Sequence, residues 1–414
     1  MLGERYFRRA YRMPYKWFCR LHAILAPRIT AARLKARRDK PKGGRVGRRG
    51  GRYKLPPIHY GRISTSVRLA CALRYFAGGS PYDIMVKYGI SHTNVMDSVW
   101  YVVHAVNTTS EFKIEYPSCE VEQTRIAAGF EQASEVRFSN CAGATDGVLI
   151  WMQKPMLKEA RRVGVDQAKF LCGRKSKFGL NCQAVSDVNG KILDVSIAYG
   201  GSAADCVAFE ASDLYARLSN GLLKKGRVLF GDNAYLNSLF MVTPYTNVAG
   251  NPNKKSEDNY NFFHSQLRIR VECAFGMLAA RWGCLRMALH HNITVTKVIA
   301  LVNTLARLHN FCLESNRATE LDEFDIDRDV VPDQLDNDEQ FMMNSDNGFV
   351  RMCGSNHHNG SVPVDLMDCG HHFDEVPRVI RHHHDRARKL LHDHVYSMHA
   401  CRPLTNVIAK HKTN

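Results

Sequence analysis

The stretch from Phe263 to Leu285, FHSQLRIRVECAFGMLAARWGCL, narrows the possible folds more than any other part of the chain. Val271, Phe275, Leu278 and Trp282 recur at helical spacing and make one apolar stripe. His264, Arg268 and Glu272 stand at i, i+4 and i+8, so they stack on a neighbouring face of the same helix. Glu272 is thereby carried to the edge of a buried face, where a carboxylate is costly unless a cation or a metal compensates it. Two other carboxylates are placed to share such a metal. They are Asp146 in CAGATDGVLIWM and Asp232 in RVLFGDNAYLNSLFMVTPY.

The segments around these three acids follow an ordered pattern. A strand is expected over 141–152, then an exposed basic segment from Lys154 to Lys177. Two strands follow, LNCQAVSDV and KILDVSIAY, with Asn189-Gly190 as the tight turn between them. Next come a helix over AADCVAFEASDLYARL, the strand RVLFGD, a polar loop from Asn247 to Asn261, the helix carrying Glu272, and an amphipathic helix from Thr294 to Leu313. Three strands, a helix, a strand and then helices is the order of an RNase H-like α/β domain. In that fold the middle of the first strand, the end of the fourth strand and a late helix converge on one edge, and Asp146, Asp232 and Glu272 occupy those places. The expected class is α/β, with an RNase H-like mixed sheet flanked by helices over 138–315.

An all-α helix-turn-helix domain is expected ahead of it, over 58–110. Ser64 caps a helix through Val67, Leu69, Leu73 and Phe76, Gly78-Gly79-Ser80-Pro81 ends it, and a short helix runs to Gly89. Ser91 then caps a third helix that turns Val95, Val99, Val102 and Val103 inward. Its first turn offers His92, Thr93 and Asn94 to base edges or phosphates. The same spacing also occurs in plain helical packing.

Charge assigns the ends. The chain of 414 residues carries a net +17, and residues 1–60 hold 18 Lys and Arg against Glu4 and Asp39. Residues 1–57 therefore read as a basic arm with a short helix near its start and a flexible linker after residue 26, suited to a polyanion such as nucleic acid. From Glu320 to Asp346 the sign reverses, with eleven Asp and Glu against Arg328. Residues 316–350 read as an acidic disordered segment, and 351–414 as a His-rich tail with a helix near Arg386–His399. Thirteen cysteines without a CxxC pair read as reduced residues of an intracellular protein. No apolar run reaches membrane-spanning length, and the first residues are too charged for a signal peptide.

Three carboxylates on separate elements can hold two divalent ions for phosphodiester cleavage. Each has a plain alternative: Asp146-Gly147 as a turn, Asp232 as a cap, Glu272 paired with Arg268. Asn233, Tyr235, Arg268, Arg270 and His264 are further candidates for phosphate or metal support, each with a structural alternative. Asp205 suits the first turn of its helix without any function. Gly276 suits close packing of helix on sheet. The tail residues Cys353, His357, His358, Cys369, His371 and His372 match no closed zinc site.

Six blocks carry a resemblance. ATDG, GDNAYLNSLFMVTPY and HSQLRIRVECAFGMLAARW resemble the three signature blocks of Harbinger-type transposases and the nucleases derived from them, members of the DDE superfamily. NCQAVSDVNGKILDVSIAYGGSAADC resembles that family's hairpin, LACALRYFAGGSPYDIMVKYGISHTNV its helix-turn-helix, and YFRRAYRMPYKWF the block before it. The likeness runs in order over residues 5–313. It implies a nuclear DNA endonuclease and transposase that cuts phosphodiesters and joins strands by transesterification. Asp146, Asp232 and Glu272 match the family's catalytic, metal-binding triad, which takes two Mg²⁺ or Mn²⁺ ions. The resemblance also implies a separate Myb-like DNA-binding partner and a homo-oligomer. The alternative is a domesticated, catalytically silent DNA-binding or protein-interaction protein of the same fold.

Overall fold

Small residues let the first long strand run through the middle of the molecule. In the computed structural model, which describes residues 3–38, 63–224, 226–246, 254–318, 385–398 and 400–402, β1 (Cys141–Trp151) is the central strand of a six-stranded mixed sheet. Its first six residues, CAGATD, are all buried, as expected of a strand covered on both faces. The strands β3 (Lys177–Ser186) and β4 (Ile192–Gly200) form an antiparallel hairpin. β3 lies antiparallel to β1 with Asp146 opposite Ala184. A two-residue strand, β2 (Leu171–Cys172), extends the start of β3. On the other side of β1, β5 (Val228–Phe230) runs parallel, and β6 (Met241–Val242) runs parallel to β5.

The hairpin turn is held as its sequence requires. Gly190 has φ +78°, and Asp187 Oδ1 accepts from the amides of Asn189 and Lys191, both at 2.8 Å.

Helices cover both faces. α6 (Glu120–Ala133) and α10 (Lys254–Arg281) pack around the parallel half, and the short α8 (Asp205–Glu210), set against β3 and β4, leads into α9 (Asp213–Ser219). Phe130, Phe138, Phe230, Tyr260, Phe263 and Leu267 form the core there. The expected single helix over 203–218 is two, because Ser212 Oγ donates to Phe209 O at 2.6 Å and accepts from Tyr215 N at 3.1 Å, closing one helix and capping the next. α7 (Leu157–Val163) sits in the basic segment.

The opposite face of the hairpin packs on α11 (Val295–Ala318), and through it on helices from the first quarter of the chain. α3 (Thr65–Phe76), α4 (Pro81–Tyr88) and α5 (His92–Thr108) stand where the sequence puts them, with Ser64 capping Val67 N and Ser91 capping Asn94 N. Val95, Val99, Val102 and Val103 are buried.

Several expectations need correction. The basic arm is helical as far as residue 38, in α1 (Glu4–Tyr11) and α2 (Tyr15–Arg38). Leu21, Leu25 and Ile29 of α2 are fully buried in the core shared with α3, α5 and α11. These four-residue steps give one inward stripe, and Pro27 faces solvent, where its missing amide costs least. The helical unit is also not set apart from the sheet domain. Asn107 Nδ2 donates to Ala300 O and Thr304 Oγ1 of α11, at 2.8 and 3.0 Å, and Phe76 packs edge-on to Trp282.

The polar loop expected to reach Asn261 gives way to α10 at Lys254. Gly276 has open space where a Cβ would stand, so close packing is not its reason. α12 (Arg386–Ser397) is no free tail: Leu391 and Val395 are buried against the Phe138–Tyr260 core, and His394 Nε2 donates to Val136 O at 2.7 Å. Residues 39–57, the acidic segment beyond Ala318 and the Cys/His tail, with His382 to His384, lie outside the described residues. Among the described residues no helix is long and apolar enough to cross a membrane.

Candidate active site

Strand register brings the first two acids side by side. β1 and β5 are parallel with Ala144 opposite Phe230. Asp146 and Asp232 are each two residues further along, so the two-residue period of extended chain carries both to the same face at neighbouring positions. Asp232 lies just past the end of β5, where its Oδ1 accepts from Ala234 N at 2.9 Å. Glu272 comes from α10, whose buried stripe of Val271, Phe275 and Leu278 fixes the rotation of the helix against the sheet.

The electrostatics tie the three together. Asp146 is 5% exposed, and burial followed by the neighbouring Asp232 charge pushes its pKa up to about 8; Glu272 pushes the same way and Arg268 opposes. Burial also raises Asp232 and Glu272, and the Asp232 charge adds to the rise at Glu272.

Arg268 stands between two of the three. Its Nη1 forms an ion pair with Glu272 Oε1, one turn along the same helix, and lies 3.8 Å from Asp146 Oδ2. Among the described residues, no three His, Cys, Asp or Glu side chains form a group that holds a metal as they stand. The counter-cation here is the guanidinium. The donor set nonetheless suits a hard divalent ion: carboxylate oxygens, raised first by burial, with the Asp232 charge adding at Asp146 and Glu272, and already drawing a cation between two of them.

Residues 145–310 match the family described as DDE superfamily endonuclease. This segment is similar to the DDE superfamily endonucleases.

Protein ALP1-like of Arabidopsis thaliana is 25% identical over 233 residues, 53% of this chain and 54% of its own length. The protein named "Putative nuclease HARBI1" is 26% identical over 257 residues in Bos taurus, 61% of this chain and 68% of that protein. The Homo sapiens protein of that name is 26% identical over 270 residues, covering 64% and 72%. The chain thus spans about half the length of the plant relative. No solved structure matches it.

Within the matched segment, the structure brings in a fourth carboxylate that the sequence left with a local role. Asp205 Oδ1 accepts from Asn181 Nδ2 at 2.9 Å and Gln183 Nε2 at 3.0 Å. Gln183 Oε1 accepts from Tyr235 Oη at 2.5 Å. This network abuts the residue after Asp146: a Cβ on Gly147 would overlap Asp205 Oδ1 and stand 2.5 Å from Gln183 Nε2. The glycine of ATDG is therefore required by the approach of Asp205. Burial raises Tyr235 well above its ordinary pKa, and the Asp146, Asp205 and Asp232 charges add to it, so its phenol stays protonated. The signals in sequence were the polar Asn181 and Gln183 on one face of a strand of otherwise apolar residues.

His264 belongs elsewhere. It is fully buried, stacked on Phe230 at 4.7 Å, and its Nε2 donates to Val242 O at 3.1 Å. Burial holds it neutral, with a pKa lowered to about 3. It anchors α10 on β6 and does not orient Glu272. Asn233 is exposed. Arg174, in the exposed basic segment, adds a positive charge that lowers Asp232. On the helical unit, His92 and Thr93 are exposed and Asn94 half-buried, with the His92 ring tilted over Tyr82 at 5.1 Å.

Proposed function

We propose that the chain is a Harbinger-type, metal-dependent DNA endonuclease and transposase built on an RNase H-like domain. The observation that carries this reading is the β1–β5 register, which sets Asp146 beside Asp232 while α10 brings Glu272 to them inside the segment that matches the DDE endonucleases. Asp146, Asp232 and Glu272 are the catalytic and metal-holding residues. Bound there, two Mg²⁺ or Mn²⁺ ions supply the Lewis acidity that phosphodiester hydrolysis and strand transfer by a freed 3′-hydroxyl require.

The chain's own groups do the rest. Arg268 neutralises Asp146 and Glu272 until a stronger cation competes for them, and then joins Arg270 on DNA phosphate. Tyr235, Gln183 and Asn181 hold Asp205 at the edge of the site. His92, Thr93 and Asn94 contact DNA at the start of α5, and the Lys/Arg-rich first 60 residues add salt-sensitive affinity. The reading extends to a nuclear location, a separate Myb-like DNA-binding partner and a homo-oligomer, all taken from the family resemblance.

A nicking assay on DNA with Mg²⁺ tests it. Wild type is expected to cut, and Asp146→Asn and Glu272→Gln to lose about two to four orders of magnitude. Equal activity in all three would remove the triad. A second reading keeps the fold without chemistry, and it draws on Arg268 already occupying the cation position between Asp146 and Glu272. DNA binding by wild type with no cutting in Mg²⁺ or Mn²⁺ favours it.

A further inference from the structure

Away from the carboxylates, a cavity of about 270 Å³ opens between α2 and the first turn of α3. It is lined by Thr30 and Arg33 from α2 and by Ser64, Thr65 and Arg68 from the start of α3, with Ile29 and Ile63 beside them. Two arginines face it and, among the described residues, no carboxylate does. Arg68 is 7% exposed; its Nη1 donates to Ser98 Oγ at 3.0 Å and its guanidinium lies 5.3 Å from the Tyr101 ring centre. Among the described residues, its Nε is buried without a hydrogen-bond partner, and so is the Nε of Arg33.

The hydroxyls of the lining are already engaged. Thr30 Oγ1 donates to Ala26 O, Thr65 Oγ1 bonds His22 Nε2 at 2.9 Å, and Ser64 Oγ accepts from Val67 N. What the cavity leaves unanswered is therefore cationic. The two side chains also oppose each other: burial lowers Arg68 most, and the Arg33 charge lowers it further, against the pull of Tyr101 and of Asp97 on α5. The twelve-residue α3 begins at Thr65, which lines the cavity, and the amides of Thr65 and Ser66 precede its first intrahelical acceptors. An anion that satisfies two guanidinium forks and a helix N-terminus together is a tetrahedral oxyanion. The space holds several groups of water size, about 30 Å³ each, which accommodates a phosphate with residual hydration.

We propose that this cavity is a phosphate-binding site, with Arg33 and Arg68 as its charged ligands and the N-terminus of α3 as its floor. It is separate from the carboxylate site and does not depend on nuclease activity. The phosphate comes either from solution or from a nucleic-acid backbone, and two arms of one experiment tell these apart.

Inorganic phosphate is titrated into the full-length chain by calorimetry at fixed ionic strength, with chloride as the matched control. Saturable heat and a higher melting temperature in phosphate than in chloride are expected, and Arg33→Gln, at a partly exposed position, is expected to weaken the binding about tenfold or more. Arg68→Lys, which keeps the charge but loses the fork, is expected to weaken it as well. Competition by a short DNA duplex, with Arg33→Gln lowering the salt slope of DNA binding by about one, assigns the phosphate to the backbone. Phosphate uptake untouched by DNA assigns it to free phosphate. No phosphate-specific heat in the folded wild type, or equal uptake by wild type and Arg33→Gln, overturns the site.

Discussion

Gly147 shows how one missing side chain permits a cluster of charge. Asp205 Oδ1 and Gln183 Nε2 fill the space where its Cβ would stand, and both belong to a buried network that has little room to move. Gly147→Ala is therefore expected to cost about 1–3 kcal/mol in urea unfolding, the range for overpacking a filled site. It should also abolish Mg²⁺-dependent nicking by moving the adjacent Asp146. An alanine variant as stable and active as wild type would refute the fit. Arg268 makes a complementary case. Its guanidinium is the counter-charge for two largely buried carboxylates, so Arg268→Met is expected to cost about 3–5 kcal/mol, as in breaking a buried ion pair from one side. Millimolar Mg²⁺ should recover part of that loss, raising the melting temperature of the variant more than that of wild type. Equal shifts in both proteins would mean that the carboxylates take up no divalent ion in its place.

At the scale of elements, legibility followed how local the cause is. The caps at Ser64 and Ser91, the stripe Val271–Phe275–Leu278 and the Asn189-Gly190 hairpin turn are set by neighbours a few residues away, and the sequence read them correctly. Asp146, Asp232 and Glu272 were readable as placed acids because each stands at a defined point of a strand or helix. Asp205 was not, because its partners Asn181 and Gln183 lie 24 and 22 residues away and meet it only across the sheet. α2 is hard to read from sequence for a different reason. Its arginines and Pro27 dominate the composition, while Trp17, Leu21, Leu25 and Ile29, one step of four apart, carry the apolar face. If α2 is a core element, Leu25→Ala should destabilise the whole fold by about 2–5 kcal/mol. Urea unfolding followed by both far-ultraviolet circular dichroism and tryptophan fluorescence checks this. A cost near zero would return α2 to the role of a solvated arm.

Across the whole molecule, distant elements are fastened by a few buried polar contacts, and His309 of α11 is one that can be titrated. Its Nε2 donates to Gly190 O of the hairpin turn at 3.0 Å, so α11 holds the β3–β4 turn while Arg281, at the end of α10, lies near enough to repel a charged imidazole. Burial, then Arg281, lowers its pKa from 6.5 to about 4. Between those values the unfolded chain binds a proton that the folded chain refuses, so acid favours unfolding and the loss grows as pH falls from 6.5 towards 4. Above 6.5 both states are neutral and the residue contributes no slope. Asp146 and Asp194, whose pKa values are raised to about 8 and about 6, titrate with the opposite sign, so wild-type stability alone does not isolate the histidine. A difference does. His309→Gln still donates to Gly190 O but takes up no proton. The gap in unfolding free energy between variant and wild type should thus widen in the variant's favour by about 1.4 kcal/mol per pH unit below 6.5 and stay flat above it. Parallel stability curves through that window would mean that His309 takes up its proton without leaving the core, and that the hairpin and α11 part more readily than their packing implies.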